Sequence, residues 1–150
     1  MNGMKESDVS LFQRVARWFK PAPGPPHLEA GRLGEQVAKR HLQRQGFKFL
    51  AANVRTPRGE IDLIFRDQEC LVFVEVKTRS SESWTRPAVA VDARKRRLLS
   101  RAALRYLRRL HHPQVPIRFD IVEVILTNGA VREVRHLSNA FSLSPPYRFG

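Results

Sequence analysis

Asp62, Glu75 and Lys77 are charged residues set inside apolar runs, where charge is costly unless something pairs with it. Asp62 stands among Ile61, Leu63, Ile64 and Phe65, and Glu75 and Lys77 stand among Val72, Phe73, Val74 and Val76. Both runs are rich in β-branched and aromatic residues, so they read as strands. The polar stretch Arg66-Asp67-Gln68-Glu69-Cys70 between them reads as a tight connection, which makes the pair an antiparallel hairpin. With residues 67–70 as the loop, Arg66 faces Leu71, Ile64 faces Phe73, Asp62 faces Glu75 and Glu60 faces Lys77. Two carboxylates placed opposite each other repel. A hard divalent cation, Mg²⁺ or Mn²⁺, turns that repulsion into a binding site, because it takes a few carboxylate oxygens and completes its shell with water. A one-residue slip in register would put the acids on opposite faces and remove the site.

An Asp followed on the next strand by Glu-x-Lys suits phosphodiester cleavage. The acids hold a metal that polarises the phosphate and acidifies water, and the lysine orients the water or offsets developing charge. The competing reading is a buried salt-bridge cluster. Two acids to one lysine leave that cluster unbalanced unless Lys95 or an arginine completes it.

Other elements must carry and support these residues. Residues 27–45 read as a helix with Leu33, Val37, Ala38, His41 and Leu42 as its apolar stripe and Gly46 as its stop. Glu35 falls at the edge of that stripe, where it can complete the metal shell or act as a helix N-terminal acid. Residues 47–54 read as a strand at an edge or beside the hairpin, followed by the basic turn Arg55-Thr56-Pro57-Arg58-Gly59. Arg55, Arg58 and Arg79 flank the hairpin and, with Arg94 and Lys95 of the next helix, are candidates for phosphate contacts. A second helix starts at the N-cap Asp92 and runs to Leu110. Leu98, Leu99, Ala102, Ala103, Tyr106, Leu107 and Leu110 form its buried face, and arginines, Arg94 among them, cover the rest. Lys95 precedes Leu99 by four positions, so it continues the sheet-facing stripe and can turn toward the acids. Residues 115–126 and 130–137 read as strands joined by an Asn128-Gly129 hairpin turn.

The order of elements gives an α/β layer arrangement: a central mixed sheet of about five strands flanked by helices. Residues 1–27 divide from it as an N-terminal appendage. Phe12, Val15 and Phe19 mark an amphipathic helix there, and a Pro-rich linker follows. Residues 28–138 form the main domain, and residues 139–150 are expected to be an irregular C-terminal tail.

The chain has 150 residues, 27 Lys plus Arg against 14 Asp plus Glu, and a net charge of +13. That excess points to an anionic partner, nucleic acid before acidic membrane. No apolar run is long enough to span a membrane. The single cysteine, Cys70, excludes an intrachain disulfide and a cysteine-based zinc cluster, and fits a cytoplasmic location.

Gly34-Glu35, Asn53, Arg55, Gly59-Glu60-Ile61-Asp62-Leu63-Ile64, Phe73-Val74-Glu75-Val76-Lys77 and Arg118-Phe119-Asp120 together resemble the YraN-like family. This bacterial family is similar to the PD-(D/E)XK nucleases and, among them, to archaeal Holliday-junction resolvases. The resemblance implies a restriction-endonuclease-like fold. It implies that Asp62, Glu75 and Lys77 match the catalytic triad of those enzymes and that Glu35 matches the helix acid of the resolvases. The expected function is therefore a metal-dependent endonuclease acting on nucleic acid, above all structured or branched DNA. The alternative is a nucleic-acid-binding protein with a nuclease-like fold and no catalysis. Resolvases act as symmetric dimers, so a homodimer is a further expectation carried by the resemblance.

Overall fold

A computed structural model describes residues 29–80 and 91–144. The expected helix around Phe12, the Pro-rich linker, residues 81–90 and the last six residues lie outside the described residues. The elements are α1 (Glu29–Arg44), β1 (Lys48–Thr56), β2 (Gly59–Asp67), β3 (Cys70–Ser80), α2 (Ala93–Arg109), β4 (Ile117–Thr127) and β5 (Ala130–Phe141). The five strands form one sheet in sequence order. β3 and β4 pair in parallel and the other neighbours are antiparallel, so the sheet is mixed. Only the parallel pair needs a long crossover, and α2 provides it.

Each turn has the residues its geometry demands. Gln68 (φ 53°) makes β2–β3 a two-residue connection, with Asp67 paired to Cys70. The loop is thus shorter than expected by one residue on each side, but the register is the expected one: Arg66 pairs with Leu71 and Ile64 with Phe73. Asn128 and Gly129 both have positive φ, 50° and 76°, as a type I′ hairpin turn requires. α2 begins where Asp92 accepts a hydrogen bond from the Lys95 N–H at 2.8 Å. It ends at Leu110, and His111 and His112 follow with left-handed backbones (φ 60° and 52°).

The helices cover opposite faces of the sheet. On one face α2 buries Leu99, Ala102, Ala103, Tyr106 and Leu107 against Ile64, Phe73, Phe119 and Ile121. Tyr106 meets Phe73 edge-on at 5.8 Å between ring centroids. On the other face α1 buries Ala38 and Leu42 against Leu63, Phe65, Val72, Val74, Val122 and Val124. Fully burying each such large side chain contributes about 1.5–3 kcal/mol.

One expectation about the tail needs correction. The last strand was expected to end at Leu137, with irregular chain beyond it, but β5 continues to Phe141. Phe141 is buried and stacks on Phe119 at 4.8 Å. The polar run Ser138-Asn139 hides this continuation, because apolar burial resumes only after it.

Candidate active site

β2 and β3 pair only as far as Leu63 and Val74. Beyond that point β2 stays paired with β1 out to Gly59, and β3 stays paired with β4 out to Ser80. The sheet therefore forks. Asp62 is the next residue of β2 beyond the last pair, and its Oδ2 accepts the Val76 N–H at 2.8 Å, which gives that amide an acceptor inside the fork. The expected register puts Asp62 opposite Glu75. The fork keeps that juxtaposition but removes the ladder between them.

Glu75 is 4% exposed. Its Oε1 meets Lys95 Nζ at 3.1 Å and Lys77 Nζ at 3.3 Å. Its Oε2 is buried with no hydrogen-bond partner. The Asp62 carboxyl is held well above the usual carboxylate range. Burial is the main cause, and the charges of Glu75 and Glu35 add to it against the Val76 amide and Lys95. A buried carboxylate oxygen without a donor thus sits beside an acid whose burial and like-charged neighbours oppose its ionisation.

Glu35 reaches this fork because α1 lies very close to β3. A Cβ at Gly34 would overlap Thr78 Oγ1, so glycine is what allows the helix to sit there. The Glu35 side chain hydrogen-bonds Asn53. Its pKa is raised, first by burial and then by Glu60 and Glu75, against the Asn53 bond and Arg32. Asn53 has φ 51° and falls between the pairs Ala52–Leu63 and Val54–Ile61, which places it opposite Asp62. Asn is one of the few residues that tolerates this left-handed backbone. Glu35, Asp62, Glu75, Lys77 and Arg79 line one open cleft of about 650 Å³, with Thr78 and the Asn128-Gly129 turn on its wall.

The sequence candidates separate into three groups. Glu35, Asp62, Glu75 and Lys77 come together, and Lys95 joins them from α2. Arg79 lines the same cleft. Arg55 and Arg58 are exposed on the β1–β2 side, where Arg55 faces Glu60 at 3.6 Å, and Arg94 is exposed on α2. Lys95, expected either to turn toward the acids or to contact phosphate, has its Nζ on Glu75.

Two protein carboxylates fit a hard divalent ion that keeps several waters, and the partnerless Glu75 Oε2 supplies a free donor atom. Among the described residues no group of three or more His, Cys, Asp or Glu is gathered as a metal cage. Glu35 lines the same cleft beside the pair.

Comparison with known proteins bears on the same residues. Residues 34–124 match the model of Uncharacterised protein family UPF0102, the YraN family. The chain belongs to this family. A UPF0102 protein of Porphyromonas gingivalis is 42% identical over 118 residues, covering 78% of this chain and 87% of that protein. One from Trichlorobacter lovleyi is 37% identical over 125 residues, 83% and 98% of the two chains. One from Symbiobacterium thermophilum is 46% identical over 111 residues, 74% and 94%. The UPF0102 match opens on Gly34, the close-approach residue, and takes in the whole fork.

It also takes in a second acid that sequence reasoning carried only as part of the family motif. Asp120 is fully buried. Its Oδ1 accepts from Arg118 Nε at 3.0 Å and from the Asn139 N–H at 2.9 Å. Its Oδ2 accepts from Arg118 Nη2 at 3.2 Å and meets His136 Nε2 at 2.8 Å. Arg118 also reaches Asp67 Oδ2 at 2.9 Å. Burial alone would raise the Asp120 pKa, but these hydrogen bonds outweigh it and hold the carboxyl below its usual value. In this UPF0102 chain the Arg118-Phe119-Asp120 motif is therefore a structural lock.

Asn53 is the site residue that residue-by-residue reasoning missed. Its available signal is an asparagine inside an apolar strand, where the type is disfavoured unless the backbone departs from β.

Proposed function

We propose that this protein is a metal-dependent, endonuclease-like phosphodiester hydrolase acting on nucleic acid, with structured or branched DNA as its substrate. The observation that carries this reading is the buried Glu75 Oε2 with no hydrogen-bond partner, set beside Asp62 in an open cleft. Buried polar atoms of native proteins are nearly always satisfied, and an exception calls for an explanation such as an ion.

Asp62 and Glu75 would hold Mg²⁺ or Mn²⁺, with Glu35 supporting the ion or the water around it. Such an ion supplies Lewis acidity toward a phosphate and lowers the pKa of water. Lys77, 3.3 Å from Glu75 Oε1, would orient the attacking water or offset charge on the phosphate. Lys95 holds the same oxygen from α2, so Oε2 is the atom left for other work. Asn53 holds Glu35 in place through its side-chain hydrogen bond. Arg79 in the cleft, with Arg55 and Arg58 at the β1–β2 turn, suits phosphate contacts.

The test is cleavage of duplex, single-stranded, flap and four-way-junction DNA with Mg²⁺ or Mn²⁺. Cleavage is expected to be lost in Asp62→Asn, Glu75→Gln and Lys77→Ala with DNA binding retained. A second reading, binding without catalysis, is favoured by one observation: two lysines already balance the charge of Glu75. Tight binding with no cleavage of any of these substrates by wild type would select it.

A further inference from the structure

α2 carries eight cations and no acid in its 17 residues. They are not spread evenly. Arg94, Arg97, Arg101, Arg105 and Arg108 follow one another at intervals of three, four, four and three. At about 100° per residue all five fall within an arc of roughly 80°. Arg94, Arg97, Arg105 and Arg108 are exposed and Arg101 is partly exposed. The opposite arc is the buried one, centred on Leu99, Ala103 and Tyr106. The row is about 21 Å long at roughly 1.5 Å per residue, and its carrier is a helix packed into the core on its other side.

The β1–β2 turn lies against the same helix. A Cβ on Gly59 would lie 3.1 Å from the Leu98 carbonyl oxygen, so the turn sits against the helix backbone. Arg58, the neighbour of Gly59, is exposed there. Gly59 also begins β2, three residues before Asp62.

We infer that the α2 arginine row with Arg58 is a docking surface for the backbone of duplex DNA, separate from the acids of the cleft. The choice of partner rests on the nucleic-acid reading proposed above. The geometry of the row selects among nucleic acids. Single-strand binding needs aromatic side chains interleaved with the cations, and the row has none: the one aromatic of α2, Tyr106, is 1% exposed. A duplex carries one charge per about 1.7 Å of axis in a rigid rod, which a straight, rigid row of cations complements. A membrane surface is disfavoured because no large apolar side chain on this row is available to insert. Leu98 and Leu104 beside it are partly buried.

The test measures binding in EDTA, so that it does not depend on catalysis. A 20-base-pair duplex, the corresponding single strand and anionic phospholipid vesicles are titrated at several salt concentrations. The row variant carries Arg97→Gln, Arg101→Gln, Arg105→Gln and Arg108→Gln. A charge-matched control carries Arg40→Gln, Arg44→Gln, Lys48→Gln and Arg132→Gln, all exposed positions elsewhere. At about 0.9 per phosphate contact, the row variant is expected to lose roughly 3–4 from the slope of log affinity against log salt. It is also expected to bind duplex at least 100-fold more weakly, with the control near wild type and the single strand bound less tightly than duplex. Equal losses in row variant and control would overturn the inference in favour of net charge alone. Tighter binding to vesicles or to single strand, or no loss in the row variant, would also overturn it. If the quadruple variant fails to fold, Arg97→Gln and Arg105→Gln singly are each expected to lower the slope by about 0.9. A protein that cuts nothing but passes this test would refute the hydrolase reading and leave the surface standing.

Discussion

Asp62 and Asp120 perform the same backbone task in opposite electrostatic surroundings. Each accepts a main-chain N–H where strand pairing breaks down. Asp62 takes that of Val76 at the fork, and Asp120 takes that of Asn139 where the β4–β5 register shifts between Phe119 and Ile121. Around Asp120 the fold places Arg118 and His136, and the carboxyl is held below its ordinary pKa. Around Asp62 burial and then the charges of Glu75 and Glu35 outweigh the Val76 amide and Lys95, and the carboxyl is held well above it. One acid is satisfied by its own chain. The other pair leaves a buried oxygen without a donor.

The comparison can be broken at several points. The largest effect is expected at Asp120. Replacing it with alanine takes a fully buried acceptor from the Asn139 N–H and from His136 and leaves Arg118 with Asp67 alone, and breaking such a buried network costs about 3–5 kcal/mol. Chemical denaturation would measure it, and a loss below 1 kcal/mol would mean that the lock is ornamental. Next comes Gly34→Ala. The new methyl group meets Thr78, a stiff β-branched side chain, so a loss of about 1–3 kcal/mol is expected. Thr78→Ala should recover part of it.

Smaller, and of opposite sign, is Asp62→Asn. Without added metal it should leave stability unchanged or raise it by about 1 kcal/mol, because it removes a like-charge contact and keeps an acceptor for the Val76 amide. The pH dependence separates the two acids. The Asp120 carboxyl is depressed in the folded protein, so its contribution is present above the unfolded value of about 3.9 and is lost as pH falls through the folded one. The Asp62 carboxyl is raised, so below about pH 3.9 it costs nothing, and stability falls as pH climbs from there toward the folded value. Asp62→Asn should remove that fall on the acid side of neutrality while leaving the acid-induced loss due to Asp120.

Much of this molecule was legible before its structure. The hairpin register followed from placing the connection within residues 67–70, which sets Arg66 against Leu71 and Ile64 against Phe73. α2 followed from its apolar stripe and the Asp92 cap, and the Asn128-Gly129 turn from its residue types. What stayed hidden depends on contacts distant in sequence. The fork exists because a side chain, Asp62, takes an amide that a strand would have taken. The extension of β5 depends on Phe141 finding Phe119 after a polar stretch. Asn53 becomes meaningful only when β1 lies opposite Asp62 and α1 brings Glu35 to it. Periodicity reports which face is buried and says nothing of where two strands part.

The proposal that the Asp62–Glu75 pair binds a divalent cation is tested most directly by thermal unfolding with and without Mg²⁺. At ten times the dissociation constant, ligand binding to the folded state alone adds about 1.4 kcal/mol, a rise in Tm of roughly 3–6 °C for a chain of this size. Wild type is expected to show that rise and Asp62→Asn to lack it. Equal responses of the two proteins, or no response from wild type with either Mg²⁺ or Mn²⁺, would contradict the claim.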